Sequence, residues 1–308
     1  MDASVAVAEA LEAGKLTPPP VAGGADFAAA ALVVAIAALA VAASFVLVSF
    51  DARAGHGRLR RIIDLAPSLR GARLLLAFFA GLLAAAEMLR LPFFRGTMLP
   101  KSRHVMPCLA YPLVAHGIAE PGLLATVLLL LRASIGGARL PAAALAVPLA
   151  CLPFLTAHVL ILATPATVAA YPGQLAHAMD SVGHCAYPAY AATLLLALVV
   201  VYLPLLATAC WDVAAVAINR RLRARAHALS VLVLVPLPVQ VLALALTSVW
   251  DIQQYTSPTV GLVGFLAVAI AAEATLVILV MLPVHDSLVL VEQVPVVAAG
   301  QASPDFGR

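Results

Sequence analysis

The chain has 308 residues, 64% of them hydrophobic and 11% charged, with a mean hydropathy of +1.05. Soluble domains average about 45–50% apolar and about 25% charged residues, so a water-soluble globule is excluded and an integral membrane protein is expected. A formal charge of +3 is too small to suggest nucleic acid, which leaves the lipid bilayer as the principal partner.

Residues 1–26 carry Asp2, Glu9 and Glu12 ahead of an apolar run long enough to span. A secretory n-region is basic and its apolar core short, so a flexible N-terminal segment before a retained anchor is expected instead. Seven spans follow at Phe27–Phe50, Leu74–Leu91, Met106–Leu131, Leu140–Ile161, Ala189–Ala209, Ser230–Val249 and Gly261–Leu282. They make up one transmembrane domain over residues 27–284, with 285–308 as a cytosolic tail. Long runs of Ala, Leu and Val without alternation argue for helices and against a lipid-facing barrel. The expected fold class is all-α, a polytopic bundle of seven transmembrane helices. The small residues of span one (AAAALVVAIAALAVAA) let helices approach closely in lipid. No internal repeat marks a duplicated transporter.

Orientation follows from the basic residues of short loops, which are enriched on the cytoplasmic side. Arg53, Arg58, Arg60, Arg61, Arg70 and Arg73 follow span one, Arg132 and Arg139 follow span three, and Arg220, Arg221, Arg223 and Arg225 follow span five. The loops around Asp180 and Asp251 hold neither Lys nor Arg; Arg95, Lys101 and Arg103 alone go against the pattern. The balance puts the N-terminus outside and the C-terminus in the cytosol. Arg60, Arg61, Arg132, Arg220, Arg221 and Arg223 then read as anchors for anionic lipid headgroups or as a docking face for a cytosolic protein.

Pro112, Pro121, Pro148, Pro153, Pro204, Pro236 and Pro238 fall inside spans or their edges, where each removes a backbone hydrogen bond. The freed carbonyls need partners, from tight packing of kinked helices or from a wet cavity.

The chemistry concentrates in span three. His116 and Glu120 are four residues apart, on one face of a helix. Glu120 and Glu273 fall near the middle of spans three and seven, and Glu87 in the outer part of span two. A charge at a helix centre costs about 2.5–3.5 kcal/mol on insertion scales, so such residues face the bundle interior or a water pocket. His116, Glu120, Glu273 and Glu87 are therefore expected to form a proton, cation or ligand site where spans two, three and seven meet. The plainer alternative is a protonated Glu satisfied by a carbonyl or by His116, tying two helices together. Because Pro121 disfavours the αR region for Glu120, a local break exposing carbonyls beside the acid is expected. Glu87 with Arg90 and Arg95 reads as an interfacial ion-pair cluster, and His158 as an interfacial or core histidine.

Cys108, Cys151, Cys185 and Cys210 show no CxxC spacing, so they form no zinc motif. Cys108, in MPCLAY, falls at the outer end of span three, and Cys185, in SVGHCAY, in the outer loop between spans four and five. Both lie in the oxidising compartment, where a disulfide persists if it forms; two free thiols are the other reading. This layout resembles the G-protein-coupled receptor family, which has seven helices and an outside N-terminus. The family also carries a disulfide from the top of the third helix to the second outer loop, so the resemblance implies a Cys108–Cys185 pairing. Of the family's acidic-Arg-aromatic triplet only Arg132 stands here, between Leu131 and Ala133, and the asparagine-proline-x-x-tyrosine signature of the last helix is absent. Span one has no asparagine, and the last span lacks the lysine that a retinal protein needs.

No Walker A, HExxH or GxSxG pattern occurs, so no enzymatic activity, cofactor or metal is expected. The spacing of His177, Asp180 and His184 is unspecific for a metal. Cys210 beside Trp211 reads either as a palmitoylation site or as a buried thiol. The expected function is a receptor-like or scaffolding protein of the plasma membrane or an endomembrane, recognising a ligand or partner and presenting its arginines to the cytosol. The alternative is a small-solute or ion transporter using Glu120, Glu273 and His116.

Overall fold

In a bilayer every backbone polar group must be satisfied within the chain, and runs of Ala, Leu and Val achieve this as helices. The computed structural model describes residues 23–54, 67–94, 105–136, 140–164, 185, 189–249 and 257–286, and it is all-helical. The helices are α1 (Gly24–Ala54), α2 (Pro67–Arg90), α3 (105–136), α4 (Leu140–Ala163), α5 (Ala189–Val216), α6 (220–249) and α7 (257–286). All seven are long and apolar enough to cross a membrane, which supports a multi-pass membrane protein. Every expected span has its helix.

One boundary needs correction. The arginines assigned to a loop before span six begin α6 itself, as Arg220–Leu234, followed after Val235 by Pro236–Val249. Asn219 caps this helix by accepting a hydrogen bond from the Arg221 N–H at 2.9 Å. Arginine is also a good helix former, so charge alone did not locate the loop.

Helix α3 is the most enclosed, packing on α2, α4 and α5, while α7 packs on α6 and α1 and closes the ring. Neighbours pack through small residues: a Cβ at Gly122 of α3 would come within 2.3 Å of the Phe79 ring of α2. Buried Ala29, Val33, Ile36, Ala40, Ala43 and Leu47 form one stripe of α1, whereas Val34, Val41, Phe45 and Val48 are exposed on its other faces. The outward set suits lipid.

The two ends of the bundle differ. At one, the Cys108–Cys185 disulfide joins the start of α3 to the segment before α5, with Cα atoms 5.2 Å apart. At the other, Arg225 of α6 bonds Asp286 at the end of α7 at 2.6 Å, and Arg132, Arg220, Arg221 and Arg223 are exposed. Below we call these the disulfide end and the arginine end.

Two helices change pitch on the way. Helix α3 runs as Val105–Val114, a π turn at Ala115–Ala119, and Glu120–Gly136. Helix α7 runs as Ser257–Leu276, then a π turn at Val277–Met281. The N–H of Glu120 reaches the Ala115 carbonyl and that of Leu282 the Val277 carbonyl, five residues back; the next residue is Pro121 in one case and Pro283 in the other. The break expected at Glu120 is absent, since it keeps helical angles of φ −68°, ψ −49°. Opening the preceding turn by one residue carries the Gly117 carbonyl away from the proline ring, so the helix continues without the clash. Within this turn the Ile118 carbonyl also accepts from the Cys151 thiol of α4 at 3.6 Å. Pro112, Pro148, Pro153 and Pro204 lie inside α-helix without a π turn.

Candidate functional site

The π turn of α3 brings His116 and Glu120 to the bundle interior, each only 3% exposed. His116 Nδ1 stands 3.0 Å from Glu120 Oε2, an ion-pair distance whose angle falls short of a hydrogen bond. The other oxygen, Glu120 Oε1, accepts from Gln240 Nε2 of α6 at 2.6 Å. One turn towards the disulfide end, the Tyr111 hydroxyl of α3 donates to Glu87 Oε1 of α2 at 2.5 Å. Glu87 Oε2 is in turn 3.1 Å from Arg90 Nε, and the Arg90 guanidinium lies over the Tyr111 ring. The Tyr111 and His116 rings meet edge-on, 5.6 Å apart, so the two pairs form one continuous cluster.

Between them runs a crevice lined by Glu87, Tyr111, His116 and Gln240, too narrow to seat a water molecule. Its remaining wall includes Leu244 and, from α7, Gly264, Phe265 and Val268. Three polar atoms beside it or behind it have neither a hydrogen-bond nor an ion-pair partner among the described residues: His116 Nε2, Gln240 Oε1 and His158 Nε2. His158 of α4 is fully buried, its Nδ1 bonded to the Phe154 carbonyl at 2.8 Å and its ring edge-on to Tyr190. Chemically, the cluster can hold charge and shuffle protons between an imidazole, two carboxyls and a phenol. Its closed walls leave no space for a larger ligand in this conformation.

The placement of the sequence-derived residues is mixed. His116, Glu120 and Glu87 converge. Glu273 does not: it is half-buried on α7, beyond the residues that line the crevice. Glu87 and Arg90 pair as expected, with Glu87 only 3% exposed. Tyr111 and Gln240 were not singled out in the sequence; a polar residue alone in an apolar run (PLPVQVLALAL) was the available signal. Cys108 and Cys185 are joined, and Cys210 is a buried thiol. Arg223 Nη2 donates to the Ala217 carbonyl at 3.1 Å. Arg60, Arg61, Arg95, Lys101, Arg103, His177, Asp180 and His184 lie outside the described residues, as do most of residues 1–26 and of the tail. Among the described residues no group of three metal-ligating side chains occurs.

The chain belongs to the family described as uncharacterised conserved protein UCP031277, whose model covers residues 22–295. The match runs from the start of α1 past the end of α7, so the family and the seven-helix bundle are coextensive. No curated protein and no solved structure matches the chain.

Proposed function

We propose that the protein is a receptor-like membrane protein of the plasma membrane or an endomembrane, with its N-terminus outside and its C-terminus in the cytosol. The polar cluster is its sensing centre, and the arginine end is the face presented to a cytosolic partner and to anionic headgroups. One observation carries this reading: the polar cluster and the disulfide share one half of the bundle, while the buried side chains of the other half are mostly aliphatic. Leu123, Leu124, Val127 and Leu130 of α3 pack there with Leu206, Leu229 and Leu276. A transporter needs its ion to leave on the far side. With Glu273 half-buried and apart from the cluster, the buried acids give no such exit. The positive-inside pattern supports the orientation, and the shared layout supports the likeness to the G-protein-coupled receptors.

The test pairs two measurements on the full chain in lipid. Spin labels at Arg132→Cys and Arg221→Cys report the separation of α3 and α6 at the arginine end, and reconstituted vesicles report proton-coupled uptake. We expect Gln240→Leu, a change in the opposite half, to alter the label separation, with no uptake by the unsubstituted protein or by this variant. An unchanged separation removes the receptor-like reading. Uptake lost on Glu120→Gln instead establishes the transporter.

A further inference from the structure

We infer that Glu120, His116 and Gln240 form a proton-binding site in which the α6 amide reads the protonation state of the α3 carboxyl. This deepens the receptor-like reading by naming the stimulus, and rests on it only for what the bound proton does at the arginine end.

The argument begins with charge. An unpaired charge is costly in a buried site, so the cluster should be neutral overall. The groups that face Glu120 come from several helices. From α2 come Glu87 and Arg90, which cancel at 3.1 Å. From α3 itself come His116 and Tyr111, whose hydroxyl is committed to Glu87. From α4 comes His158, fully buried with its Nε2 unpartnered and therefore neutral, its Nδ1 donating to the Phe154 carbonyl and Tyr190 of α5 behind it. From α7 come Gly264, Phe265 and Val268, with no charge. Neutrality then leaves one proton for His116 and Glu120 together, 3.0 Å apart, and the bond donated by Gln240 to Glu120 Oε1 favours the imidazolium–carboxylate form of the pair.

The second proton is assigned to Glu120, because Glu87 accepts from Tyr111 and keeps the permanently charged Arg90 beside it, and Gln240 is built to register it. In the neutral pair the amide donates through Nε2 to Glu120 Oε1, while its own Oε1 is buried without a partner. Once Glu120 carries a hydrogen, the donating amide faces an O–H, and the arrangement is restored only if the amide turns and accepts through Oε1. The bond between α3 and α6 thus survives in both states with its direction reversed. The crevice admits nothing as large as a water molecule, so a proton passed along the side chains of the cluster suits it better than a bulkier ligand.

The test is infrared difference spectroscopy of the full chain in phosphatidylcholine nanodiscs, titrated from neutral to acid. We expect a protonated-carboxyl band to appear on acidification, to vanish in Glu120→Gln and to persist in Glu273→Gln. His116→Asn removes the countercharge, so the band should appear at higher pH than in the unsubstituted protein. Gln240→Leu should keep the band and shift its frequency, since the carbonyl partner of the new O–H is gone. A band that is present at every pH, or one that survives Glu120→Gln unchanged, overturns the inference. A band that titrates as expected above a motionless arginine end leaves the proton site standing and removes the receptor-like reading.

Discussion

Ala115–Ala119 and Val277–Met281 insert the same extra residue into α3 and α7, each closed by an N–H immediately ahead of a proline. The first lies in the half of the bundle that holds His116 and Glu120. The second is apolar throughout, with Val280 fully buried and Val277 exposed. The comparison teaches that one backbone device serves two kinds of packing. Around the first turn the partners are charges and hydrogen bonds, which fit in one register only. Around the second they are aliphatic side chains in a setting where lipid is as apolar as the core, so neighbouring registers differ little in energy.

If that contrast is right, the largest effect comes from breaking a charge pair in the polar half. Arg90→Leu leaves Glu87 buried without its cation and should destabilise the protein by about 3–5 kcal/mol, read as unfolding in detergent. Removing both charges in Glu87→Leu with Arg90→Leu should recover much of that loss. A double variant no better than the single one breaks the contrast, because the cost would then be packing.

The apolar half should respond less. Leu276→Ala, at a fully buried position, should cost about 1–3 kcal/mol, below the roughly 2–5 kcal/mol of aqueous cores, because only contacts and not transfer from water are lost. Between the halves, Gly122→Ala should cost about 1–3 kcal/mol by driving a methyl into the Phe79 ring, and Phe79→Leu in the same chain should relieve it. If Phe79→Leu gives no relief, the close approach there is not the reason for the glycine.

How much of this was legible follows the same division. The spans could be read because a bilayer demands about 20 apolar residues in a row, which no other feature mimics. The His116–Glu120 pair could be read because a spacing of four is local to one helix, and the opening of a π turn does not part them. Gln240 could not be read as their partner, since which helix faces which is a property of the whole bundle. Glu273 shows the converse error: its position gives its depth in the membrane but not its rotation about the α7 axis. Pro121 was read as a break because the steric rule for the preceding residue is local. The helix met the same constraint one turn earlier, by widening.

The smallest effects, and the sharpest use of the comparison, come from the two prolines themselves. Removing the extra residue turns everything beyond it by about 100°, the angle of one helical residue. In α3 that rotation would carry Cys108 away from Cys185 and Tyr111 away from Glu87, or Glu120 away from Gln240. Pro121→Ala should therefore keep the π turn, with the disulfide still formed and thiol labelling of Cys108 and Cys185 absent until reductant is added. In α7 the described residues beyond the turn are 282–286. They include Asp286 of the exposed Arg225–Asp286 pair, and burying Val284 gains little against lipid. There the proline ring is the main reason for the π turn, so Pro283→Ala should let it close to an α-helix and swing Asp286 off Arg225. Cysteines placed by Arg225→Cys and Asp286→Cys should crosslink readily with Pro283 and poorly with alanine, while overall stability barely moves. Equal crosslinking in both would mean that packing holds the second turn as firmly as polar bonds hold the first.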